Sequence, residues 1–457
     1  MPIANAMPPR QELFGHPQGL TYLFTTEMWE RFSYYGMRSL LVLYMVKYLL
    51  HPGHADAILG FESLRGMLEF AFGPLGAQPL ASQIYGLYTG LVYLTPIFGG
   101  IVADRLLGQR RTVVIGAILM ALGHFMMAFE SLFLVALLTL ILGNGAFKPN
   151  ISTQVGGLYA PGDQRRDRAY SIFYVGINVG AFFSPLVCGT LGEDFGWAYG
   201  FAAAGVGMLI ALGIYLVALR ILPPDRRVEA GRARPQAPRL SRKERRAMIA
   251  ILVLCLPLTF FWAGYEQQGD TIALWADTFT NRSIRLGFWT GTIPTTWFQA
   301  FNPFMIFAFT PLVVALWRWQ AKRGTEPSTV AKLALGCFGL ALANLIMALA
   351  AWHTGHGGQA SWLWLFGYFA VITLGELYLS PTGLSLVTKV APASQVSLMM
   401  GVWLATSFLG NFIAGWLGSY WSGMEKTDFF IMIAAIGAAA GVVVWAVSRP
   451  LRALLET

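Results

Sequence analysis

Charge is scarce in this chain. Only 12% of its 457 residues are Asp, Glu, Lys or Arg, against 56% hydrophobic and 14% aromatic. A soluble globular domain carries about twice that charge, so an ordinary water-facing surface is excluded. Cysteine is scarcer still. Cys188, Cys255 and Cys337 all sit in apolar runs without metal-ligand spacing. They read as small packing residues, not as disulfides or ligands. No G-x-x-x-x-G-K-[ST] loop occurs, and Gly143-x-Gly145 is too short to replace one, so pumping driven by ATP is excluded. No nucleophile–base pair or metal cluster is visible, and the chain is not expected to be an enzyme. Of six histidines, His16 is in the N-terminal tail and His51, His54, His353 and His356 fall in loops. His124 alone lies in an apolar run, with no charged neighbour in sequence. A histidine relay is therefore disfavoured, and carboxylates are left to bind any coupling proton.

What the chain does hold is apolar length. Runs of about 20 apolar residues recur, each enough to cross a hydrocarbon core of about 30 Å. We expect an all-α membrane protein of twelve spans, near 20–50, 80–102, 111–130, 132–159, 168–192, 198–222, 246–270, 296–319, 328–351, 361–388, 397–421 and 428–448. Met1–Gly19 has no apolar core, so no cleaved signal peptide is expected and the first span acts as its own insertion signal. His51–Pro79 is the longest outer loop, and Phe61–Phe72 within it reads as a short surface helix.

The net charge of +9 is placed by topology. Alternate loops carry Arg105, Arg110 and Arg111, then Arg165, Arg166 and Arg168, then the Pro/Arg segment Pro223–Arg246, then Arg318, Lys322 and Arg323. The remaining loops hold only scattered basic residues such as Arg65, Arg282, Arg285 and Lys426. The positive-inside rule makes the first set cytoplasmic, with both termini on that side of a plasma membrane, expected to be a bacterial inner membrane. The basic residues then face anionic lipid, and no nucleic-acid partner is implied. The Pro/Arg segment divides the chain into an N-terminal bundle (1–222), a cytoplasmic linker (223–246) and a C-terminal bundle (247–457).

Inside the first span lies Glu27-Met28-Trp29-Glu30-Arg31-Phe32-Ser33-Tyr34-Tyr35-Gly36-Met37-Arg38. At about 100° per residue, Glu27, Glu30, Arg31, Tyr34, Tyr35 and Arg38 share an arc of roughly 140°. An ionised side chain near the bilayer centre costs at least about 2.5–3.5 kcal/mol, so this face must look into a bundle or a wet cavity. The alternative, charges that merely lock helices together, calls for fewer polar groups than these.

The halves look like repeats. Trp29 to Gly36 matches Trp262 to Gly269, and Thr95-Pro96 before a basic loop matches Thr310-Pro311. Gly143 to Pro149 parallels Gly375 to Pro381, and each then runs to an Ala-Pro pair, Ala160-Pro161 and Ala391-Pro392. Six-plus-six repeats with a basic connector suggest the major facilitator fold, twelve transmembrane helices in two six-helix bundles with the ligand site between them. Lys148 and Glu376 hold nearly equivalent places in the repeats, so they are expected to approach each other as a breakable gate; a permanent ion pair is the alternative. Arg38, two turns beyond Arg31, is expected to close the outer mouth against Glu266 or Asp270. Tyr93, Asn178, Asn302 and Trp403 are uncharged candidates for the cavity wall, and each can equally be packing or interfacial belt.

Several stretches resemble one family. Glu27-x-x-Glu30-Arg31-Phe32-x-Tyr34-Tyr35-Gly36 is similar to the ExxERFxYYG motif of the proton-dependent oligopeptide transporters. Phe173 to Phe182, Phe147-Lys148-Pro149-Asn150 and Glu376-x-x-x-Ser380-Pro381-x-Gly383 resemble further patterns of that family, and Asp104 to Arg111 is similar to a loop pattern of the wider superfamily. The resemblance implies a symporter that imports di- and tripeptides with protons. Glu27 and Glu30 would take part in proton coupling with Arg31, Lys148 and Glu376. Arg31 and Lys148 would attract the peptide carboxylate, and Glu376 would hold the amino group with help from Asn302. Tyr34, Tyr35, Tyr93, Asn178, Ser380 and Trp403 would line the pocket, and Arg38 with Glu266 or Asp270 would form the outer gate. The short linker leaves no room for the two extra helices of many bacterial members, and the second span lacks the histidine of animal members. No cofactor or metal is implied beyond the proton as coupling ion; Glu27-x-x-Glu30 has no histidine in reach to support a metal. The partners implied are peptides, protons and the bilayer, with no obligate protein partner. A transporter of a non-peptide anion such as nitrate is the runner-up, with a non-transporting receptor as a further alternative.

Overall fold

The computed structural model describes residues 12–160, 162–225, 241–286, 289–355, 357–392 and 395–455. Most of the linker expected at 223–246, residues 226–240, lies outside the described residues, as does His356.

The chain is helical almost throughout. The first half holds α1 (Gly19–Tyr44), the surface helix α2 (Phe61–Phe72), α3 (Ala77–Leu94), α4 (Pro96–Val102), α5 (Gln109–Met126), α6 (Phe133–Gly157), α7 (Arg165–Thr190) and α8 (Trp197–Ala218). The second holds α9 (Arg242–Tyr265), α10 (Thr271–Thr278), α11 (Phe301–Lys322), α12 (Thr329–Thr354), α13 (Trp362–Val390), α14 (Val396–Gly418) and α15 (Lys426–Leu455). Among the described residues, ten helical segments are long and apolar enough to cross a membrane. α1 and α5, at the first and third expected spans, are not among the ten. α1 carries Glu27, Glu30, Arg31 and Arg38, and α5 is 18 residues long and opens on Gln109, Arg110 and Arg111. α1 has 26 residues, about 39 Å at 1.5 Å per residue, so its length suffices.

Local chemistry sets the helix ends. α9 starts on a capping box: Ser241 Oγ accepts from the Glu244 N–H at 3.1 Å, and Glu244 Oε2 accepts from the Ser241 N–H at 2.7 Å. Ser328 caps α12 by accepting from the Ala331 N–H at 3.3 Å. Both faces of α12 are apolar. Leu333, Cys337, Leu340 and Met347 are buried, while Leu335, Leu342, Leu345 and Leu349 are exposed. A helix apolar all round, with one face on the outside of the molecule, is suited to hydrocarbon rather than water.

Within the first half α1 packs on α7 and α8, and α5 on α6 and α8; within the second, α12 packs on α13 and α15, and α9 on α14 and α15. The halves meet where α3 lies along α14 and where α7 meets the 3-10 turn Thr295–Ala300 at the start of α11. The α3–α14 seam is backbone against backbone. A Cβ on Gly86 would stand 2.7 Å from the Asn411 carbonyl oxygen, and one on Gly415 would stand 2.5 Å from that of Ser82. No larger residue fits at either position.

The seventh span, expected near 246–270, is broken near its end. α9 stops at Tyr265, a 3-10 turn covers Glu266–Gly269, and α10 restarts after Asp270, whose backbone (φ −117°, ψ −96°) is far from helical. Buried side chains take up the polar groups there. Gln267 Nε2 donates to the Ala414 carbonyl at 2.9 Å, and Thr271 Oγ1 donates to Gln267 Oε1 at 2.8 Å. Beyond α10, Ser283–Leu286 and Trp289–Thr292 form an antiparallel hairpin, pairing Ser283 with Thr292 and Leu286 with Trp289. Phe61–Phe72 forms the surface helix expected.

Candidate functional site

α1 carries its charges inward. Glu27, Glu30, Arg31 and Tyr34 are buried, with Glu30 at 0% and Arg31 at 3% exposure. Arg31 Nη2 donates to Glu30 Oε1 at 2.7 Å, and its Nε lies 3.3 Å from Glu27 Oε1. Two carboxylates around one guanidinium leave a local charge of about −1, which a further cation can balance. Lys148 on α6 is close enough to interact electrostatically with both carboxylates and with Arg31. α6 holds Lys148 just before Pro149, which removes one backbone donor from the helix.

A cavity of about 200 Å³ lies between the halves. From the first half Tyr35, Arg38, Tyr93 and Asn178 line it; from the second come Tyr265, Glu266, Asn302 and Glu376. Arg38 pairs with Glu266 across the interface, and its Nε donates to Tyr85 Oη at 2.8 Å. Glu376 Oε2 accepts from Tyr265 Oη at 2.7 Å and from Asn302 Nδ2 at 3.0 Å. Lys148 sits one layer back, its Nζ 4.9 Å from the centre of the Tyr93 ring. Arg31 lies 5.1 Å from the Tyr34 ring, which meets Tyr35 edge to face at 5.1 Å. Tyr93, on the cavity wall, thus also touches Lys148 of the α1–α6 charge cluster.

Of the residues singled out from sequence, Tyr35, Arg38, Tyr93, Asn178, Glu266, Asn302 and Glu376 reach the cavity wall. Glu27, Glu30, Arg31, Tyr34 and Lys148 form the layer behind it. Ser380 is half-buried off the wall, and Trp403 is buried with its ring against Gly383, where a Cβ would stand 2.0 Å from Cη2. Glu266, not Asp270, partners Arg38. Asp270 is fully buried and accepts from Ser82 Oγ at 2.8 Å. The expected contact between Lys148 and Glu376 is not formed: Lys148 has no ion pair among the described residues, and Glu376 is held within the second half. Tyr265 was not singled out. Its only signal in the sequence is that it adjoins Glu266.

Beyond the cavity the same end of the interface is fastened by polar contacts. Lys47 Nζ lies 2.8 Å from Asp277 Oδ1. Glu193, at the end of α7, accepts from the backbone N–H groups of Thr295 and Thr296, both at 2.8 Å. Those N–H groups open the turn that leads into α11, where the helix presents unpaired donors.

Two sets of membrane-spanning helices around an ionisable cavity have the architecture of a major facilitator transporter. The POT family model matches residues 110–229 and 228–429. The chain is 34% identical to the peptide transporter YePEPT of Yersinia enterocolitica subsp. palearctica, covering 97% of this chain and 94% of that one. It is also 34% identical to the di-/tripeptide transporter of Lactococcus lactis subsp. cremoris, covering 99% of both. Its fold matches the crystal structure of a peptide transporter POT in complex with sulfate with a TM-score of 0.84, at 30% identity and with 98% of each chain covered. The chain belongs to the POT family.

Proposed function

We propose that this protein imports di- and tripeptides with protons by alternating access. One observation carries the reading. An anionic group, Glu376, lies on the cavity wall from one half, while Lys148 and Arg31 lie behind Tyr93, Tyr34 and Tyr35 from the other. A zwitterionic peptide needs one acceptor and one cation held apart, and these groups supply both. Glu376 takes the amino terminus, and the Lys148–Arg31 layer takes the carboxylate. The family names of the relatives, peptide transporter and di-/tripeptide transporter, support the substrate class.

Proton coupling follows from Arg31 being shared by Glu27 and Glu30. A proton on either carboxylate removes one claim on Arg31 and Lys148 and frees positive charge for the peptide carboxylate, so the two ligands favour each other's binding. With the basic loops on the cytoplasmic side, the end sealed by Arg38–Glu266 faces out. In the outward-open state Lys148 and Glu376 approach each other instead. No cofactor takes part, and the coupling ion is the proton.

The test is dialanine uptake into liposomes under an imposed inward proton gradient. One net charge moved through 100 mV supplies about 2.3 kcal/mol, or roughly fiftyfold accumulation. The parent protein accumulates dialanine with the gradient and stops when it is collapsed. Glu30→Gln and Lys148→Ala each lose gradient-driven accumulation. Absence of gradient-dependent uptake by the parent removes the symport reading, and active uptake retained in both variants clears those residues of coupling.

A further inference from the structure

Glu376 is held by two donors, and both reach the same oxygen. Tyr265 Oη donates to Oε2 at 2.7 Å and Asn302 Nδ2 donates to Oε2 at 3.0 Å. The other oxygen, Oε1, accepts from no donor among the described residues, although the side chain stands on the cavity wall. The terminal torsion of a glutamate is broad, so a carboxylate without such anchors samples many orientations. Here the anchors are themselves fixed. Asn302 Nδ2 also lies 3.0 Å from Thr373 Oγ1. The Tyr265 ring stacks on Phe261 (5.8 Å between centres, 24° between planes) and meets Trp262 edge to face at 5.4 Å.

Tyr265 also ends α9, immediately before the 3-10 turn that begins with Glu266. Neighbouring residues on one backbone therefore hold the cavity carboxylate and, through Glu266, the Arg38 contact that crosses the interface.

We propose that Tyr265 is the positioning residue that presents Glu376 Oε1 to the cavity as the acceptor for a ligand's ammonium group. The proposal rests on the peptide reading above and adds the group that orients the carboxylate. The Tyr265 hydroxyl is spent on Glu376, and its contribution is preorganisation: the acceptor need not be ordered when the ligand arrives. Specificity for a free amino terminus then depends on a phenol that acts through the carboxylate it holds.

The test compares dialanine with propanoyl-alanine, the same molecule without its amino group, as ligands for the purified protein by calorimetry, and follows KM and kcat for dialanine in liposomes. The parent binds dialanine more tightly than the des-amino analogue. Tyr265→Phe, which deletes one hydroxyl and keeps the ring packing, is expected to weaken dialanine about tenfold while leaving propanoyl-alanine unchanged. KM for dialanine rises by a similar factor and kcat stays near the parent value. An unchanged preference in Tyr265→Phe, or an equal loss for both ligands, overturns the proposal, because a merely structural hydroxyl does not distinguish them. Should Tyr265→Phe not be recovered folded, Asn302→Ala removes the other donor on Oε2. It must show the same ammonium-specific loss, and an undiminished preference there overturns the proposal as well. A parent protein that binds neither ligand refutes the peptide reading itself, which separates the two failures.

Discussion

Arg31 can serve two carboxylates only because burial makes their charges costly to leave unshared. Glu27, Glu30 and Arg31 are each 3% exposed or less, and the cluster was legible in sequence for the same reason. A charge inside an apolar run is expensive, so its presence points to a site without help from any other residue. Uncharged residues carry no such signal. Tyr35, Tyr93, Asn178 and Asn302 reach the cavity wall, whereas Ser380 and Trp403 do not, and nothing in composition distinguishes the two groups. Trp403 is turned aside by Gly383, whose missing side chain leaves room for the indole ring, a fit visible only once α13 and α14 are packed. Glu376→Gln keeps the size of the side chain and its reach to Tyr265 and Asn302 but removes the charge that receives an ammonium group. A hydrogen bond to a charged partner is worth about 1.5–3 kcal/mol, so the dialanine Kd should rise roughly ten- to 150-fold by calorimetry. An unchanged Kd would place the amino terminus elsewhere.

Among the elements, the spans were legible because each needs a long apolar run; the break in the seventh was not. Its sequence, Tyr265 to Asp270, is short and polar, and a helix could have accommodated it. Tertiary contacts decide otherwise. Tyr85 Oη occupies the place a side chain at Gly269 would take, with a Cβ there only 2.0 Å away, and Gln267 bonds to the Ala414 carbonyl of α14. The fastening at the far end of the interface was equally silent, since Glu193 sits in the last helical turn after α7 and its partners are mainly backbone groups. Glu193 accepts two N–H donors from the start of the α11 segment, and Lys47 meets Asp277 nearby. The proposed cycle breaks both contacts each time this end opens. Glu193→Ala leaves the Thr295 and Thr296 donors to water, and the open form of this end should gain about tenfold in population. Spin labels placed in the two halves, at Tyr199 and Tyr420, read the change as a larger long-distance fraction. An unaltered distance distribution would show that Glu193 does not hold this end shut.

At the scale of the whole molecule, two sets of helices meet along a seam that is tight at one end and carries the ionisable cavity midway. The tightness comes from Gly86 and Gly415, which let α3 and α14 touch through their backbones. The repeats seen in sequence anticipated the pairing of halves but also placed Lys148 beside Glu376, as an equivalence of position would suggest. In the structure that contact is not formed: Glu376 is taken by Tyr265 and Asn302, and Lys148 lies against the Tyr93 ring. Arg38–Glu266 is made, and the proposed cycle assigns the Lys148–Glu376 contact to the opposite arrangement. In the proposed mechanism, charges contributed by both halves bind the two ends of a single zwitterion in the chamber between them. A structure of the protein with dialanine tests it most directly. The account predicts the peptide amino group within hydrogen-bond distance of Glu376 Oε1 and the carboxylate directed toward Lys148 and Arg31; a peptide bound in the reverse sense, or away from this cavity, would contradict it.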